Sequence, residues 1–237
     1  MKEDNPLHEL IRRLPPGVEF LIVIMWAFGL PIFSSILSIG GSDASSSKEY
    51  YNNTGLMAVL IMELAQSLFL IWFLRIRGWT LEKLGLSITW RGTLLGVALL
   101  IGTYGVLMVV QTIAAKALPA DMAAAVASYP KPAKDLSMSL VFLVSTVNGI
   151  FEEVFVAGYI ITALAPVRGI WAGINVSTGL RLLYHLYQGP VGIISVVPLG
   201  LMFGYLYART RMLWPLIFAH ILLDIIGLTF GASGDAP

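Results

Sequence analysis

Apolar residues occur in seven long runs, and this pattern predicts a protein that crosses a membrane several times. Each run approaches or exceeds the ~17–25 residues that an α-helix needs to cross a hydrocarbon core. Polar, turn-forming segments such as 40–53 (GGSDASSSKEYYNN) separate them. The runs cover about residues 18–39, 54–74, 93–115, 136–165, 170–190, 191–207 and 212–230. We therefore expect an all-α fold, a polytopic integral membrane helical bundle of about seven transmembrane helices.

Composition supports this fold class and excludes several functions. The chain is 57% hydrophobic and 12% charged, with a mean hydropathy of +0.80, whereas soluble domains carry about 25% charged residues. It contains no cysteine, which excludes a disulfide framework and a thiolate metal site. Its net charge of +1 argues against a nucleic-acid partner. We divide the chain into a cytoplasmic N-terminal segment (1–17), a single membrane-embedded domain (18–230) and a short polar tail (231–237).

The positive charges predict the orientation of the bundle. Ten of the 15 Lys and Arg residues lie in the N-terminal segment and in the loops after the second, fourth and sixth runs. Four lie in the opposite set of loops. Cytoplasmic loops are enriched in Lys and Arg, so we expect a cytoplasmic N-terminus and an outside C-terminus.

Two adjacent carboxylates, Glu152 and Glu153, lie in the middle of the fourth run. An ionised side chain at this depth costs roughly 2.5–3.5 kcal/mol or more, so it faces the bundle interior and serves a function. Neighbouring helical residues point about 100° apart, so the two carboxylates meet different neighbours. On an α-helix, Asn148, Glu152 and Tyr159 share one face, which makes Asn148 and Tyr159 candidate supporting residues.

Further polar residues lie in the fifth and seventh runs. Arg181 and His185 are four residues apart, as are His220 and Asp224, so each pair shares one helix face. A rise of about 1.5 Å per residue brings these side chains and Glu152 to similar depths in the membrane. Three helices thus converge on one predicted site.

Acids and imidazoles at one depth are compatible with two hydrolytic routes and with one rival function. Glu152, His185 and His220 could bind a divalent metal such as Zn²⁺. A metal-free glutamate mechanism is equally compatible, with Glu152 as general base, His185 assisting it, and a second polar pair stabilising a developing oxyanion. The rival is a proton-coupled carrier, because chains of Glu, His and Asp also relay protons.

Three segments in this order resemble the motifs of the CPBP group of intramembrane proteases. This group is also called the ABI family and includes the type II CAAX prenyl endopeptidases. The segments are 152–159 (EEVFVAGY), 181–189 (RLLYHLYQG) and 220–224 (HILLD), similar to the family's EExxxR, FxxxH and HxxxN or HxxxD motifs. The resemblance implies a membrane-embedded endopeptidase in which Glu152, Glu153, His185, His220 and Asp224 form the catalytic set. It also implies that Glu152 and His185 activate the water, while His220 and Asp224 form the oxyanion site or complete a metal site.

The same resemblance implies the partners and the location of the protein. The family's type members cleave prenylated C-terminal peptides, so the implied partners are the lipid bilayer and a peptide or a prenylated or otherwise lipidated protein. The implied location is the bacterial cytoplasmic membrane. The sequence does not indicate an oligomeric state.

Two positions depart from the family motifs. Ala157 occupies the place of the arginine in EExxxR, and Arg181 occupies the place of the phenylalanine in FxxxH. Arg181 is the one cation within the predicted spans, so we predict that it lies within salt-bridge reach of Glu153 or Glu152 and replaces the motif arginine. The alternative function is a non-peptidase that keeps the fold, either a carrier or a scaffold.

Overall fold

The computed structural model describes residues 5–40, 51–117, 119 and 132–230, and these residues form helices and turns without any β-strand. The all-α prediction is confirmed. The helices are α1 (Pro6–Arg12), α2 (Pro16–Gly40), α3 (Asn53–Ile76), α4 (Trp90–Ala117), α5 (Met138–Glu152), a π-helix (Glu153–Tyr159), α6 (Ile160–Arg168), α7 (Ile170–Tyr184), a 3₁₀ turn (Leu186–Gln188), α8 (Gly189–Thr210) and α9 (Trp214–Phe230).

The helices follow the seven apolar runs. Four stretches are long and apolar enough to cross a membrane, namely Pro16–Ser38, Asn53–Ile76, Trp90–Ile113 and Met138–Arg168, and α9 is a shorter apolar helix. Helices α7 and α8 cover the fifth and sixth runs. The protein is therefore a helical membrane bundle. The predicted loop 40–53 lies mostly outside the described residues, and so do much of the loop before α5 and the tail 231–237.

The continuous helix Met138–Arg168 is the centre of the bundle. Within its most apolar stretch 67% of the residues are buried inside the protein, against 17–33% for the other three long spans. Its first part, α5, packs against α3 and α9, while the π-helix packs against α7 and α9. Side chains on this helix can therefore meet groups from several neighbours, which is what a buried site requires.

A glycine sets the close packing between α5 and α9. A Cβ atom at Gly149 would lie 2.8 Å from Cγ1 of Ile221 and 3.2 Å from its backbone nitrogen, so a larger residue there would push the helices apart. Ile221 directly follows His220, and Gly149 lies one turn before Glu153. Because Gly149 has no side chain, α9 can approach closely enough for His220 to contact the central helix.

The π-helix Glu153–Tyr159 interrupts the regular register of the central helix. Its hydrogen bonds run between residues five apart, and such segments occur frequently at functional sites. Because each turn of a π-helix contains more residues than a turn of α-helix, side chains beyond Glu152 do not return to the face that α-helical spacing predicts.

Candidate active site

Arg181 on α7 joins the two adjacent glutamates of the central helix. Its Nη1 atom donates to Oε2 of Glu152 at 3.0 Å, and its Nη2 atom donates to Oε1 of Glu153 at 2.8 Å. All three residues are buried, with exposed fractions of 2%, 6% and 0%. The predicted salt bridge is confirmed, and it reaches both carboxylates. The planar guanidinium can do this because its donors are arranged as a fork.

Two further donors hold Glu152. The hydroxyl of Tyr184 donates to Oε2 at 2.6 Å, on the oxygen that also accepts from Arg181. The amide of Asn148 donates to Oε1 at the longer distance of 3.3 Å. Oε1 therefore keeps more of its hydrogen-bonding capacity than Oε2, and it is the oxygen that can accept a proton from a substrate or a water molecule.

His220 on α9 contacts the second glutamate. Its Nδ1 atom lies 2.6 Å from Oε1 of Glu153. Since Glu153 is also paired with Arg181, its carboxylate acts as an acceptor and Nδ1 of His220 carries the hydrogen. The other ring nitrogen, Nε2, lies 3.7 Å from Asp224 and 4.0 Å from Glu152. The structure thus brings His220 and Asp224 beside the glutamate pair.

His185 follows the last residue of α7, where the helix gives way to a 3₁₀ turn. Its Nδ1 atom lies 2.8 Å from the carbonyl oxygen of Arg181. A carbonyl oxygen can only accept, so Nδ1 carries the hydrogen and Nε2 remains available as an acceptor. This tautomer leaves the basic nitrogen of the ring free for chemistry.

A cavity of about 540 Å³ adjoins this site. Its polar lining includes Glu63, Glu152, Tyr184, His185 and Tyr187, so it combines residues of α3, the central helix, the end of α7 and the turn that follows α7. The rest of the lining is mostly apolar and comes from α2, α3 and the central helix, with residues such as Phe28, Leu30, Pro31, Val59, Met62 and Phe151. An apolar cavity with a few convergent polar groups is the usual form of a small-ligand or peptide site.

Residues 134–226 match the family model described as Type II CAAX prenyl endopeptidase Rce1-like. This segment is similar to that family. The matched region contains every residue of the predicted catalytic set, and it agrees with the resemblance to the CPBP group. Comparisons with curated proteins and with solved structures found no significant match.

Tyr159 lies in the Rce1-like segment but not in the site, which corrects its predicted supporting role. Its hydroxyl donates to Oε1 of Glu19 at 3.1 Å, and the indole of Trp79 donates to the same oxygen at 2.7 Å. Arg77 pairs with the other oxygen of Glu19. The π-helix rotates Tyr159 away from the face of Glu152, so α-helical spacing placed it wrongly.

The ligand atoms of Glu152, Glu153 and His220 lie within 4.8 Å of one another and could hold a metal ion. This set differs from the predicted one, since Glu153 takes the place expected for His185. Arg181 already donates to both carboxylates, and the ring of His220 donates to Glu153. A dication between these groups would have to compete with a buried guanidinium for the same oxygens.

Glu63 is a polar residue of the cavity that the predicted catalytic set omitted. Its sequence signal is an acid inside the second apolar run, which favours a packing pair with Gln66 over a cavity-wall residue. In the structure Glu63 and Gln66 bond to different partners. Gln66 donates to the carbonyl of Trp26, whereas Glu63 lines the cavity and accepts a 2.7 Å hydrogen bond from Asn148.

Proposed function

We propose that this protein is a membrane-embedded endopeptidase that hydrolyses a peptide bond of a membrane-associated, prenylated or otherwise lipidated protein. The observation that carries the proposal is the shared cavity of Glu152 and His185, which presents two basic groups beside an apolar lining. The match of residues 134–226 to the Rce1-like family supports the same reaction. The apolar walls suit a substrate that carries a lipid, and the polar wall suits its peptide bond.

In the proposed reaction a water molecule binds between Oε1 of Glu152 and Nε2 of His185. Glu152, assisted by His185, takes a proton from the water while the water oxygen attacks the carbonyl carbon of the substrate. Arg181 and Tyr184 hold Glu152 by its other oxygen, so the base is positioned before the substrate arrives. Such positioned proton transfer contributes about 10²–10⁴-fold to a rate.

His220 and Asp224 are proposed to stabilise the oxyanion that forms on the substrate. The carboxylate of Glu153 bonds to Nδ1 of His220 and favours a protonated ring, whose second N–H can donate to the developing negative charge. Glu153 thus acts through His220, and Arg181 neutralises it from the other side.

We propose that this chemistry needs no metal, because Arg181 occupies the position from which a cation would contact both carboxylates. The alternative is a Zn²⁺ ion held by Glu152, Glu153 and His220, which would supply Lewis-acid activation of the water. Metal analysis of the purified protein distinguishes the two routes.

We further propose a location in the bacterial cytoplasmic membrane, with the N-terminus in the cytoplasm and the C-terminus outside. The distribution of Lys and Arg between alternate loops supports this orientation.

The test is cleavage of a farnesylated, fluorophore-labelled peptide by the purified protein in liposomes, with the products identified by mass spectrometry. We expect Glu152→Gln to keep its helical circular dichroism and to lose at least ~10²-fold of the hydrolysis rate. Glu9→Gln is the matched control, since Glu9 is an exposed carboxylate on α1 whose side-chain hydrogen bond is with Arg13. Equal rates in Glu152→Gln and Glu9→Gln would reject the assigned base.

Ala157 stands where the family motif has an arginine. We therefore also consider a second function, a non-peptidase that retains the fold. A wild-type protein that cleaves neither prenylated nor unmodified peptides, yet moves protons across a liposome membrane, would support the carrier.

A further inference from the structure

Glu63 on α3 is a second carboxyl group on the wall of the cavity that contains Glu152. It is 4% exposed and lies outside the segment that matches the Rce1-like family. Its Oε1 atom accepts from the amide of Asn148 at 2.7 Å, and its Oε2 atom is buried without a hydrogen-bond partner. The arrangement around Glu152 and Glu153 makes no use of this group.

The surroundings of Glu63 favour a neutral, protonated carboxyl. No described Lys, Arg or His lies within salt-bridge distance of it, and its titratable neighbours are the two carboxyl groups of Glu152 and Asp224 and the imidazole of His220. An ionised carboxylate that is buried without a cationic partner is strongly disfavoured. Glu152, by contrast, accepts from Arg181 and Tyr184, which stabilise its ionised form.

Asn148 places these two different carboxyl groups close together. Its Nδ2 atom contacts Oε1 of Glu63 and Oε1 of Glu152, so these oxygens are separated by no more than about 6 Å, the combined length of two hydrogen bonds. In glycoside hydrolases two carboxyl groups flank the scissile bond, about 5–5.5 Å apart where one is the acid and the other the nucleophile, and about 6.5–9.5 Å apart where they are acid and base. A peptide bond in the cavity can lie between Glu63 and Glu152 in the same way.

We propose that Glu63 is the general acid that protonates the leaving amine, an assignment that rests on the proposed peptidase function. The water oxygen bonds to the carbonyl carbon while the π electron pair of the carbonyl moves onto its oxygen, and one water proton goes to Glu152. The carbonyl double bond then re-forms as the carbon–nitrogen bond breaks, the electron pair of that bond goes to the nitrogen, and the nitrogen takes the proton of Glu63. The proton held on Glu152 returns to Glu63 through water in the cavity. The net reaction adds one water to one peptide bond.

A comparison of two substrates tests this role, because only one of them needs the acid. A peptide nitrogen must be protonated before it leaves, whereas the sulfur of a thioester leaves as a stable thiolate. The assay uses the full-length protein in liposomes with a farnesylated peptide and with the same peptide carrying a thioester at the scissile position. Glu63→Gln keeps the size of the side chain and its capacity to accept from Asn148, but it removes the transferable proton.

We expect Glu63→Gln to reduce peptide hydrolysis by about 10²–10⁴-fold and thioester hydrolysis by less than about 10-fold. Gln66→Leu is the matched control on α3, because Gln66 does not line the cavity, and it should leave the ratio of the two rates unchanged. If Glu63→Gln fails to fold, Glu63→Asp replaces it. The shorter side chain holds its carboxyl group further from the substrate, so peptide hydrolysis should again be slowed more than thioester hydrolysis.

The possible outcomes separate this proposal from the proposed function. Equal losses on peptide and thioester, in Glu63→Gln or in Glu63→Asp, would overturn the general-acid role while leaving the peptidase intact. A wild-type protein that hydrolyses neither substrate would overturn the proposed function and, with it, this assignment.

Discussion

Replacing Arg181 with methionine tests the charge balance of the site. Methionine keeps most of the length of the side chain and removes its charge, so the change leaves Glu152 and Glu153 buried together without their guanidinium. In the native structure this cation contacts both carboxylates at 2.8–3.0 Å and lies 5.9 Å from the centre of the Phe203 ring.

The expected loss follows from these contacts. Removing one partner of a buried ion pair costs roughly 3–5 kcal/mol, because the remaining charge has been taken out of water without compensation. His220 and Tyr184 still donate to the two carboxylates and limit the loss. We therefore expect Arg181→Met to lower the free energy of unfolding by about 3–5 kcal/mol. Arg181→Lys should have a free energy of unfolding between those of the native protein and Arg181→Met. A lysine keeps the charge, but it cannot reproduce the fork that spans both glutamates.

The measurement is reversible unfolding in mixed micelles with an increasing fraction of SDS, followed by far-UV circular dichroism. Arg13→Met is the matched control, because the Glu9–Arg13 pair is exposed and such pairs contribute about 0–1 kcal/mol. Adding Ala157→Arg to Arg181→Met should restore part of the loss, since it returns a cation to the motif position. Our reasoning fails if Arg181→Met lowers the free energy of unfolding by no more than Arg13→Met does.

Three further predictions address topology, Tyr159 and metal. In this chain without cysteine, Lys83→Cys should react with an impermeant maleimide from the cytoplasmic side and Lys134→Cys from the outside, and labelling of both from one side would refute the orientation. Tyr159→Phe should lower the unfolding midpoint yet keep the hydrolysis rate of the folded protein within about 3-fold, because its hydroxyl bonds to Glu19 outside the site. EDTA treatment should leave hydrolysis unchanged and elemental analysis should find no stoichiometric zinc, whereas loss and recovery of activity with Zn²⁺ would support the metal route.

The sequence predicted those parts of the site that depend on regular helical spacing. The interval of four residues between His220 and Asp224 placed them on one face, and the structure has them 3.7 Å apart. Ala157 takes the place of the motif arginine, and Arg181 is the cation of the predicted spans. A buried carboxylate pair needs a cation, so these two departures predicted a salt bridge from Arg181 to the glutamates. Charge balance thus predicted a contact between helices that no local sequence pattern contains.

Other features depend on packing that the sequence does not encode in a simple period. The π-helix shifts the register after Glu152, so Tyr159 could not be placed by counting residues. The bond between Glu153 and His220 depends on the approach of α9 over Gly149, and the place of Glu63 depends on how α3 packs beside Asn148. These contacts join residues far apart in the chain, so only the folded bundle shows them.

The short length of α7 has a consequence for the bilayer itself. Its 15 residues rise only about 22 Å, while the hydrocarbon core of a typical bilayer is about 30 Å thick. The chain then turns at Leu186–Gln188 and continues as α8. Lipids next to a helix that is too short adapt by thinning. We therefore propose that the bilayer is thinned beside the end of α7, where His185 lies. For the proposed peptidase, such thinning would let a lipidated substrate bring its peptide bond to His185 while its anchor stays among the acyl chains.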